Sequence, residues 1–212
     1  MADGSKPEAS LMRRHWTDTL FAVAALFVSA ISLWVGIRTE DANEKLVAAS
    51  TWPFLQVQID NSTPEGVPRL QFNVTNTGMG PAKVESFEVF WKGKPFHSGK
   101  ELVTACCGLK TFGGEVLPGN TNATHLLTGT VQGMVLRSGE SEGFIIYPLS
   151  EQTVGVWNAL NNAQKDITYR VCYCSVLNEC WRNVLFSDLS KRGQLRPERV
   201  QTCPVPKVAY TH

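Results

Sequence analysis

The stretch Thr19-Leu-Phe-Ala-Val-Ala-Ala-Leu-Phe-Val-Ser-Ala-Ile-Ser-Leu-Trp-Val-Gly-Ile37 holds nineteen residues without one charge, between Asp18 and Arg38. A helix rises about 1.5 Å per residue, so this stretch reaches roughly 28 Å, close to the hydrocarbon thickness of a bilayer. A helix also satisfies its own backbone hydrogen bonds, which lipid cannot do for it. The stretch therefore predicts a transmembrane helix, which we place at residues 17–38.

A cleaved signal peptide is the alternative interpretation of this stretch. The apolar run is longer than the apolar region of an ordinary signal peptide, and Arg38-Thr-Glu-Asp follows it where a cleavage site of small residues would stand. These features favour an uncleaved signal anchor.

The charges and cysteines around the span predict its orientation. Lys6, Arg13 and Arg14 precede the span, whereas the other flank mixes Arg38 and Lys45 with three acidic residues. An excess of cations near the membrane favours the cytoplasmic side, so the N-terminus is expected there. All six cysteines follow the span, which suits an oxidising compartment. We therefore expect a single-pass protein of a bacterial inner membrane with its C-terminal part periplasmic or extracellular.

The remaining sequence divides into a tail, a stalk and one domain. Residues 1–16 are expected to form a cytoplasmic tail, disordered over 1–12, and residues 39–51 a helical stalk that Trp52-Pro53 ends. Residues 52–212 are enough for one domain with a real core. The chain carries 20 Lys and Arg against 19 Asp and Glu, a formal charge of +1, so nothing in its overall charge points to a nucleic-acid partner.

Alternating apolar and polar residues predict a mainly β domain. Seven short strands are expected, over residues 54–60, 69–76, 83–91, 130–136, 142–147, 167–174 and 180–186. Ser150 is a candidate cap for one short helix over 151–164, residues 95–130 are expected to be irregular, and so is the tail beyond 190. Seven strands at this spacing with a single helix predict an antiparallel β-sandwich.

One turn carries a resemblance to known modules. Asn76-Thr-Gly-Met-Gly-Pro-Ala82, followed by a strand that ends in Trp-Lys-Gly-Lys-Pro, is similar to the N-x-G-x-G-P-A strand–turn–strand of bacterial immunoglobulin-like modules. The motif residues are Asn76, Gly78, Gly80 and Pro81.

The whole layout also resembles a group of uncharacterised bacterial membrane-anchored proteins. It shares with them an N-terminal anchor, a Trp-Pro-Phe-Leu first strand and a late Cys-Tyr-Cys-Ser…Glu-Cys-Trp hairpin. The resemblance implies an immunoglobulin-like sandwich held at a membrane, and it brings no assigned activity.

The cysteines are the strongest candidates for a defined site. Cys172 and Cys174 are two residues apart, so on a strand they share one face and do not readily bond to each other. A bond between Cys174 and Cys180 across a hairpin-length loop is plausible, but spacing does not choose among the possible pairings. We expect structural disulfides drawn from the six candidates Cys106, Cys107, Cys172, Cys174, Cys180 and Cys203.

A metal or redox site is the alternative use of these cysteines. It would combine the Cys172/Cys174/Cys180 hairpin with the adjacent pair Cys106-Cys107, and with a histidine as a further ligand. Cys-x-Cys is not the usual zinc-ligand spacing, and the sequence contains no Cys-x-x-Cys. No cofactor is expected.

Catalytic motifs are weak in this sequence. Gly139-Glu-Ser-Glu-Gly143 matches the nucleophile elbow by letter, but a strand follows it instead of a helix, so we interpret it as a hairpin turn. His97 and His125 lie in no triad spacing. The sequence therefore predicts a protein that is not an enzyme.

The leading hypothesis is a membrane-anchored, disulfide-braced module that binds or scaffolds a protein partner outside the cytoplasm. The alternative is a periplasmic thiol- or metal-binding protein. A pilin-like subunit is a weaker third hypothesis, because the chain lacks the processing signal that pilins carry.

Overall fold

The computed structural model of the protein describes residues 8–109, 126–188, 190 and 196–211, of which 8–15 and 17 are described by their backbone alone. The chain forms two compact units, Met1–Ala48 and Ala49–His212. Residues 1–7 of the predicted tail and residues 110–125 of the predicted irregular region lie outside the described residues.

The first unit is built on one continuous helix, α1 (Glu8–Ser50), of 43 residues. Residues 8–16, expected in the tail, are helical, because no Gly or Pro occurs between 8 and 35 and helix propagation is favourable once a helix has nucleated. Its described part Asp18–Ser50 is long and apolar enough to cross a membrane by length and composition. The fold thus includes a possible N-terminal transmembrane helix.

The second unit contains two antiparallel sheets. The first sheet has the strand order β1-β2-β7-β5, and the second has the order β10-β9-β8-β3-β4, with β6 paired to β3 beside β4. The strands are β1 (Leu55–Ser62), β2 (Pro68–Asn76), β3 (Ala82–Trp91), β4 (Lys94–Phe96), β5 (Leu127–Thr128), β6 (Val135–Leu136), β7 (Ser141–Pro148), β8 (Ile167–Cys174), β9 (Cys180–Phe186) and β10 (Glu198–Val200).

An aromatic cluster joins the two sheets. Phe144 of the first sheet lies 5.1 Å from Phe87 and 5.5 Å from Tyr169 of the second sheet, between ring centroids. All three side chains are fully buried. Burying a ring of this size stabilises the fold by about 1.5–3 kcal/mol, so the cluster is a principal source of the domain's stability.

Two predicted strand regions differ from the structure. Only Val135–Leu136 of the predicted strand 130–136 is paired, because Gly133 at φ +83° turns the chain in its middle. The region beyond 190 was expected to be irregular, yet Glu198–Val200 forms β10 against β9.

The described part of the second unit holds two α-helices where one was expected. The helix α2 (Gly99–Cys107) lies in the region predicted to be irregular. Ser98 caps it by accepting a hydrogen bond from the Glu101 backbone N–H at 3.3 Å. The helix α3 (Val154–Ala163) begins three residues later than predicted, because Ser150 and Thr153 hold residues 150–153 in a turn through mutual hydrogen bonds.

The segment 201–211, which we call the strap, follows β10 and ends inside the core. The Tyr210 backbone N–H donates to the Phe87 carbonyl at 3.0 Å, and the Tyr210 hydroxyl donates to the Phe144 carbonyl at 3.2 Å. The Tyr210 ring is fully buried and lies 5.9 Å from Phe87 and 5.8 Å from Phe144. The strap therefore contributes a further ring to the aromatic cluster that joins the sheets.

Candidate functional site

The β8–β9 hairpin positions a pair of bonded cysteines at its closed end. Cys174 and Cys180 lie directly opposite each other, with 4.0 Å between their Cα atoms, and they form a disulfide. The connecting loop is held by Ser175, whose backbone N–H donates to the Glu179 carbonyl at 2.8 Å. Asn178 adopts the left-handed conformation at φ +59°, which asparagine tolerates better than most residues.

A second disulfide ties the strap to the outer face of the same hairpin. Cys172 and Cys203 are bonded, with 5.6 Å between their Cα atoms. Because side chains alternate along a strand and Tyr173 faces the core, Cys172 and Cys174 both face outward.

The two disulfides are close neighbours. The Cys174 and Cys203 sulfur atoms lie 3.9 Å apart, and the sulfur atoms of Cys174, Cys180 and Cys203 all lie within 4.8 Å of one another. We call Cys172, Cys174, Cys180 and Cys203 the sulfur cluster. In the described part of the chain, no other group of three or more His, Cys, Asp or Glu side chains is placed to share an ion.

Cys106 and Cys107 do not belong to the sulfur cluster. They are bonded to each other at the end of α2, and both are half-buried against the core. In this structure the pair lies apart from the sulfur atoms of the hairpin, because helix α2 packs against α3 and β4. His97 is not in the sulfur cluster either, and His125 lies outside the described residues.

An open groove of about 500 Å³ runs along the outer face of the second sheet beside the strap. Two ion pairs lie on its floor: Arg170 to Glu88 at 3.3 Å and Arg182 to Glu198 at 2.7 Å. Its charged lining residues are Arg170, Arg182, Arg196 and Lys207 against Glu88 and Glu198. This groove, which we call the basic groove, has an excess of cationic side chains. Sequence reasoning did not find it because its walls come from β3, β8, β9, β10 with the preceding Arg196, and the strap.

A second open groove, of about 470 Å³, lies on the side of the strap that carries the sulfur cluster. Cys174, Cys180 and Cys203 line it together with Pro204–Pro206 of the strap, whereas Cys172 does not. We call it the sulfur groove. The strap is the wall that the two grooves share.

The predicted turn motif is organised around the Asn76 side chain. Its amide donates to the Gly80 carbonyl at 2.8 Å and to the Leu136 carbonyl at 3.0 Å. Its oxygen accepts from the Phe54 N–H at 3.2 Å and from the Gly78 N–H at 3.0 Å. Asn76 is fully buried. Its side chain alone links the residue before β1, the turn and Leu136 of β6.

The two motif glycines are needed for close approach of the backbone. The sequence suggests that they allow unusual backbone angles, but neither has a positive φ. A Cβ at Gly78 would overlap the backbone of Pro53, and a Cβ at Gly80 would overlap the backbone of Thr51. The turn therefore packs directly against the segment that leads into β1.

The motif Gly139–Gly143, which matches the nucleophile elbow by letter, is a turn, as expected. Gly139 has φ +79°, and Ser141 is the first residue of strand β7. The Ser141 hydroxyl lies 2.8 Å from the Thr75 hydroxyl on the neighbouring strand. The motif therefore joins two strands in place of the strand and helix of a nucleophile elbow.

Comparison of the chain with protein-family models, with curated proteins and with solved structures gives no match.

Proposed function

We propose that this protein is a single-span membrane protein that holds an immunoglobulin-like β-sandwich in the periplasm or outside the cell, where the sandwich binds or scaffolds a partner without catalysing a reaction. The N-terminus lies in the cytoplasm in this proposal, and the membrane is a bacterial inner membrane.

The position of helix α1 in the chain and the bonding of the cysteines support this location. The helix α1 precedes the whole β-rich unit, and all six cysteines follow its apolar stretch. Each of the six is in a disulfide, and disulfides persist in oxidising compartments. The two antiparallel sheets with one shared core support the sandwich.

The observation that carries the binding role is the basic groove. It is open, it crosses the outer face of a sheet, and a strap fixed at both Cys203 and Tyr210 forms its wall. A pinned wall keeps the groove in one shape before a ligand arrives, which lowers the entropy that binding must overcome.

Site-specific photocrosslinking in native membranes tests the binding role. A photoreactive amino acid at Arg182 or Lys207, both in the basic groove, is expected to give one discrete crosslinked species. The same group at Glu65 or Val67, exposed in the β1–β2 loop, is the matched control and is expected to give none. Equal crosslinking from the groove and from the loop would contradict a binding role for the groove.

A reporter fused after residue 211 tests the location. A reporter enzyme that is active only after its own disulfides form is expected to be active there. Activity of a cytoplasm-specific reporter at the same position would overturn the proposed orientation.

A thiol- or metal-binding protein is the second candidate function. The convergence of the Cys174, Cys180 and Cys203 sulfur atoms within 4.8 Å favours it. Three to four thiolates at this spacing suit a soft or borderline metal such as Cu(I) or Zn(II) once the disulfides are reduced. Metal analysis of purified protein together with a free-thiol assay separates the two functions: stoichiometric metal with free thiols supports the second candidate, and metal-free protein without thiols supports the first.

A further inference from the structure

The sulfur cluster holds two disulfides that are close enough to exchange partners. Exchange needs a thiolate beside a disulfide sulfur, in contact with it. The Cys174 sulfur lies 3.9 Å from the Cys203 sulfur, which is bonded to Cys172. Cys174 is itself bonded to Cys180, so opening that bond would produce the attacking group in place.

Three of the four cysteines line an open groove. Cys174, Cys180 and Cys203 line the sulfur groove of about 470 Å³, with Cys174 and Cys180 7 % and 6 % exposed, whereas Cys172 is 1 % exposed and does not line it. An incoming thiol therefore meets the Cys174–Cys180 bond at the groove surface. The loop that this bond closes spans a sequence separation of only 6, so strands β8 and β9 stay paired around it when it opens.

We propose that the sulfur cluster is a thiol–disulfide exchange site that takes a dithiol as its substrate and transfers the strap from Cys172 to Cys174. A thiolate of the dithiol attacks the Cys180 sulfur, which forms a mixed disulfide and releases Cys174 as a thiolate. The second thiol of the dithiol then attacks the dithiol's own sulfur in the mixed disulfide, so the dithiol leaves as a cyclic disulfide and Cys180 takes the proton of that second thiol. The dithiol is oxidised by two electrons and one protein disulfide is reduced.

The second step is an exchange within the protein. The Cys174 thiolate attacks the Cys203 sulfur, the Cys174–Cys203 bond forms, and the Cys172–Cys203 bond breaks. Cys172 leaves as a thiolate and takes up a proton from solvent, which replaces the proton that the attacking thiol of the dithiol lost. No electrons are gained or lost in this step, so the product carries one disulfide and the thiols of Cys172 and Cys180.

The exchange would move the strap along the hairpin. The Cys203 sulfur already lies 3.9 Å from the Cys174 sulfur, and a disulfide bond is about 2.05 Å long, so the Cys203 end of the strap would move by about 2 Å toward Cys174. Pro204–Pro206 of the strap wall both the basic groove and the sulfur groove, so the shift changes the width of each in opposite directions. Control of binding by this shift rests on the proposed binding function, whereas the exchange chemistry does not.

Peptide mapping of the full-length protein in nanodiscs tests the exchange. Wild-type protein receives less than one equivalent of dithiothreitol with a metal chelator present, is trapped by rapid alkylation, and is digested without reduction. Tandem mass spectra that break the chain at Tyr173 tell the two links of Cys203 apart. The expected product has a Cys174–Cys203 link with alkylated Cys172 and Cys180, and it forms about tenfold faster per pH unit below the thiol pKa, because the thiolate attacks.

Two variants give an equilibrium test without added dithiol. Cys180→Ser leaves Cys174 as a thiol beside Cys203, and the protein is expected to contain both the Cys172–Cys203 and the Cys174–Cys203 links. Cys174→Ser is the matched control, because it removes the same bond and leaves Cys203 linked to Cys172. If Cys180→Ser does not fold, the wild-type time course decides alone.

A single result overturns the proposal: Cys203 linked only to Cys172 in partly reduced wild-type protein, with Cys174 and Cys180 alkylated together. Photocrosslinking from the basic groove reports separately on the binding function, so failure of one proposal does not imply failure of the other.

Discussion

At the scale of single residues, Asn76 is the side chain whose loss should weaken the domain most for its size. Asn76→Ala leaves the Gly80 and Leu136 carbonyls and the Phe54 and Gly78 N–H groups without their partner. Because each unsatisfied buried group costs about 1–3 kcal/mol, we expect a loss of at least about 3 kcal/mol in unfolding free energy, measured by denaturant titration. Asn61→Ala at an exposed position is the control, and an equal loss there would contradict this role.

Two buried tyrosines should make the domain sensitive to alkali. Burial raises the pKa of Tyr173 to about 12 from 10.0, with the backbone N–H of Leu55 opposing the shift in part. Burial also raises the pKa of Tyr210, and the neighbouring Tyr169 adds to the effect. A raised pKa means that the folded state holds the proton more tightly than the unfolded state does. The resulting stability is intact below pH 10 and is lost as the pH rises from about 10 to 12.

Phenylalanine substitutions separate the two tyrosines. Tyr173→Phe and Tyr210→Phe should each reduce the fall in melting temperature between about pH 9.5 and 11.5. At pH 7, Tyr210→Phe should cost about 1 kcal/mol, because the Phe144 carbonyl loses its donor. Tyr173→Phe should be nearly neutral at pH 7, since the contact of the Tyr173 hydroxyl with the Leu55 backbone is too poorly aligned for a normal hydrogen bond and no other described group pairs with it. An unchanged alkaline transition in both variants would contradict this account.

At the scale of elements, the capping of α2 carries a clear prediction. Ser98 accepts from the Glu101 N–H, and the Glu101 carboxylate accepts from the His97 N–H at 3.0 Å. Ser98→Ala should lower the unfolding free energy by about 1 kcal/mol, with Ser62→Ala, exposed at the end of β1, as the control. Loss of a cap that leaves stability unchanged would mean that packing of Leu102 and Val103 alone holds α2.

The elements that the sequence predicts well are those with an unambiguous period. Strands β8 and β9 have their predicted bounds, 167–174 and 180–186, because Ile167-Thr-Tyr-Arg-Val alternates apolar and polar residues and the Ser-Val-Leu-Asn-Glu loop separates the two strands. Helix α2 was missed because Gly and Thr dominate its surroundings, although Ser98-x-x-Glu101 is a recognised start signal for a helix. The prediction of a strand over 130–136 did not take Gly133 into account, and the positive φ of Gly133 requires a turn.

The candidate site was predictable only in part. A Cys174–Cys180 bond is plausible from the hairpin spacing, which leaves other pairings open, and the structure contains this bond. The partner of Cys172 does not follow from spacing, because Cys203 reaches it only through the path of the strap across the sheet. The basic groove was out of reach for the same reason: its charged residues come from distant segments that only the tertiary fold brings together.

At the scale of the whole molecule, insertion of helix α1 into a membrane should depend on the absence of charge from residues 19–37. Ala25→Arg places a cation near the middle of the uncharged stretch, at about 2.5–3.5 kcal/mol against insertion. We expect a substantial fraction of this variant to leave the membrane fraction on alkaline carbonate extraction. Ala42→Arg, on the same helix beyond Arg38, is the control and should stay in the membrane. Equal extraction of the two variants and the wild type would contradict a membrane-spanning role for residues 19–37.

Because the strap follows strands β1 to β10 in the sequence, the core of the domain is completed only after those strands have been made. Strand β9 ends at Phe186, and Tyr210, which fills the aromatic cluster, is made 24 residues later. Synthesis at about 5–20 residues per second separates these events by roughly 1–5 s, which is long compared with collapse of a chain of this size. During that interval β10 and the strap are still to be made, so the aromatic cluster lacks the Tyr210 ring and Cys172 lacks its partner Cys203. The newly made domain is therefore a distinct species with an open core until Tyr210 is in place.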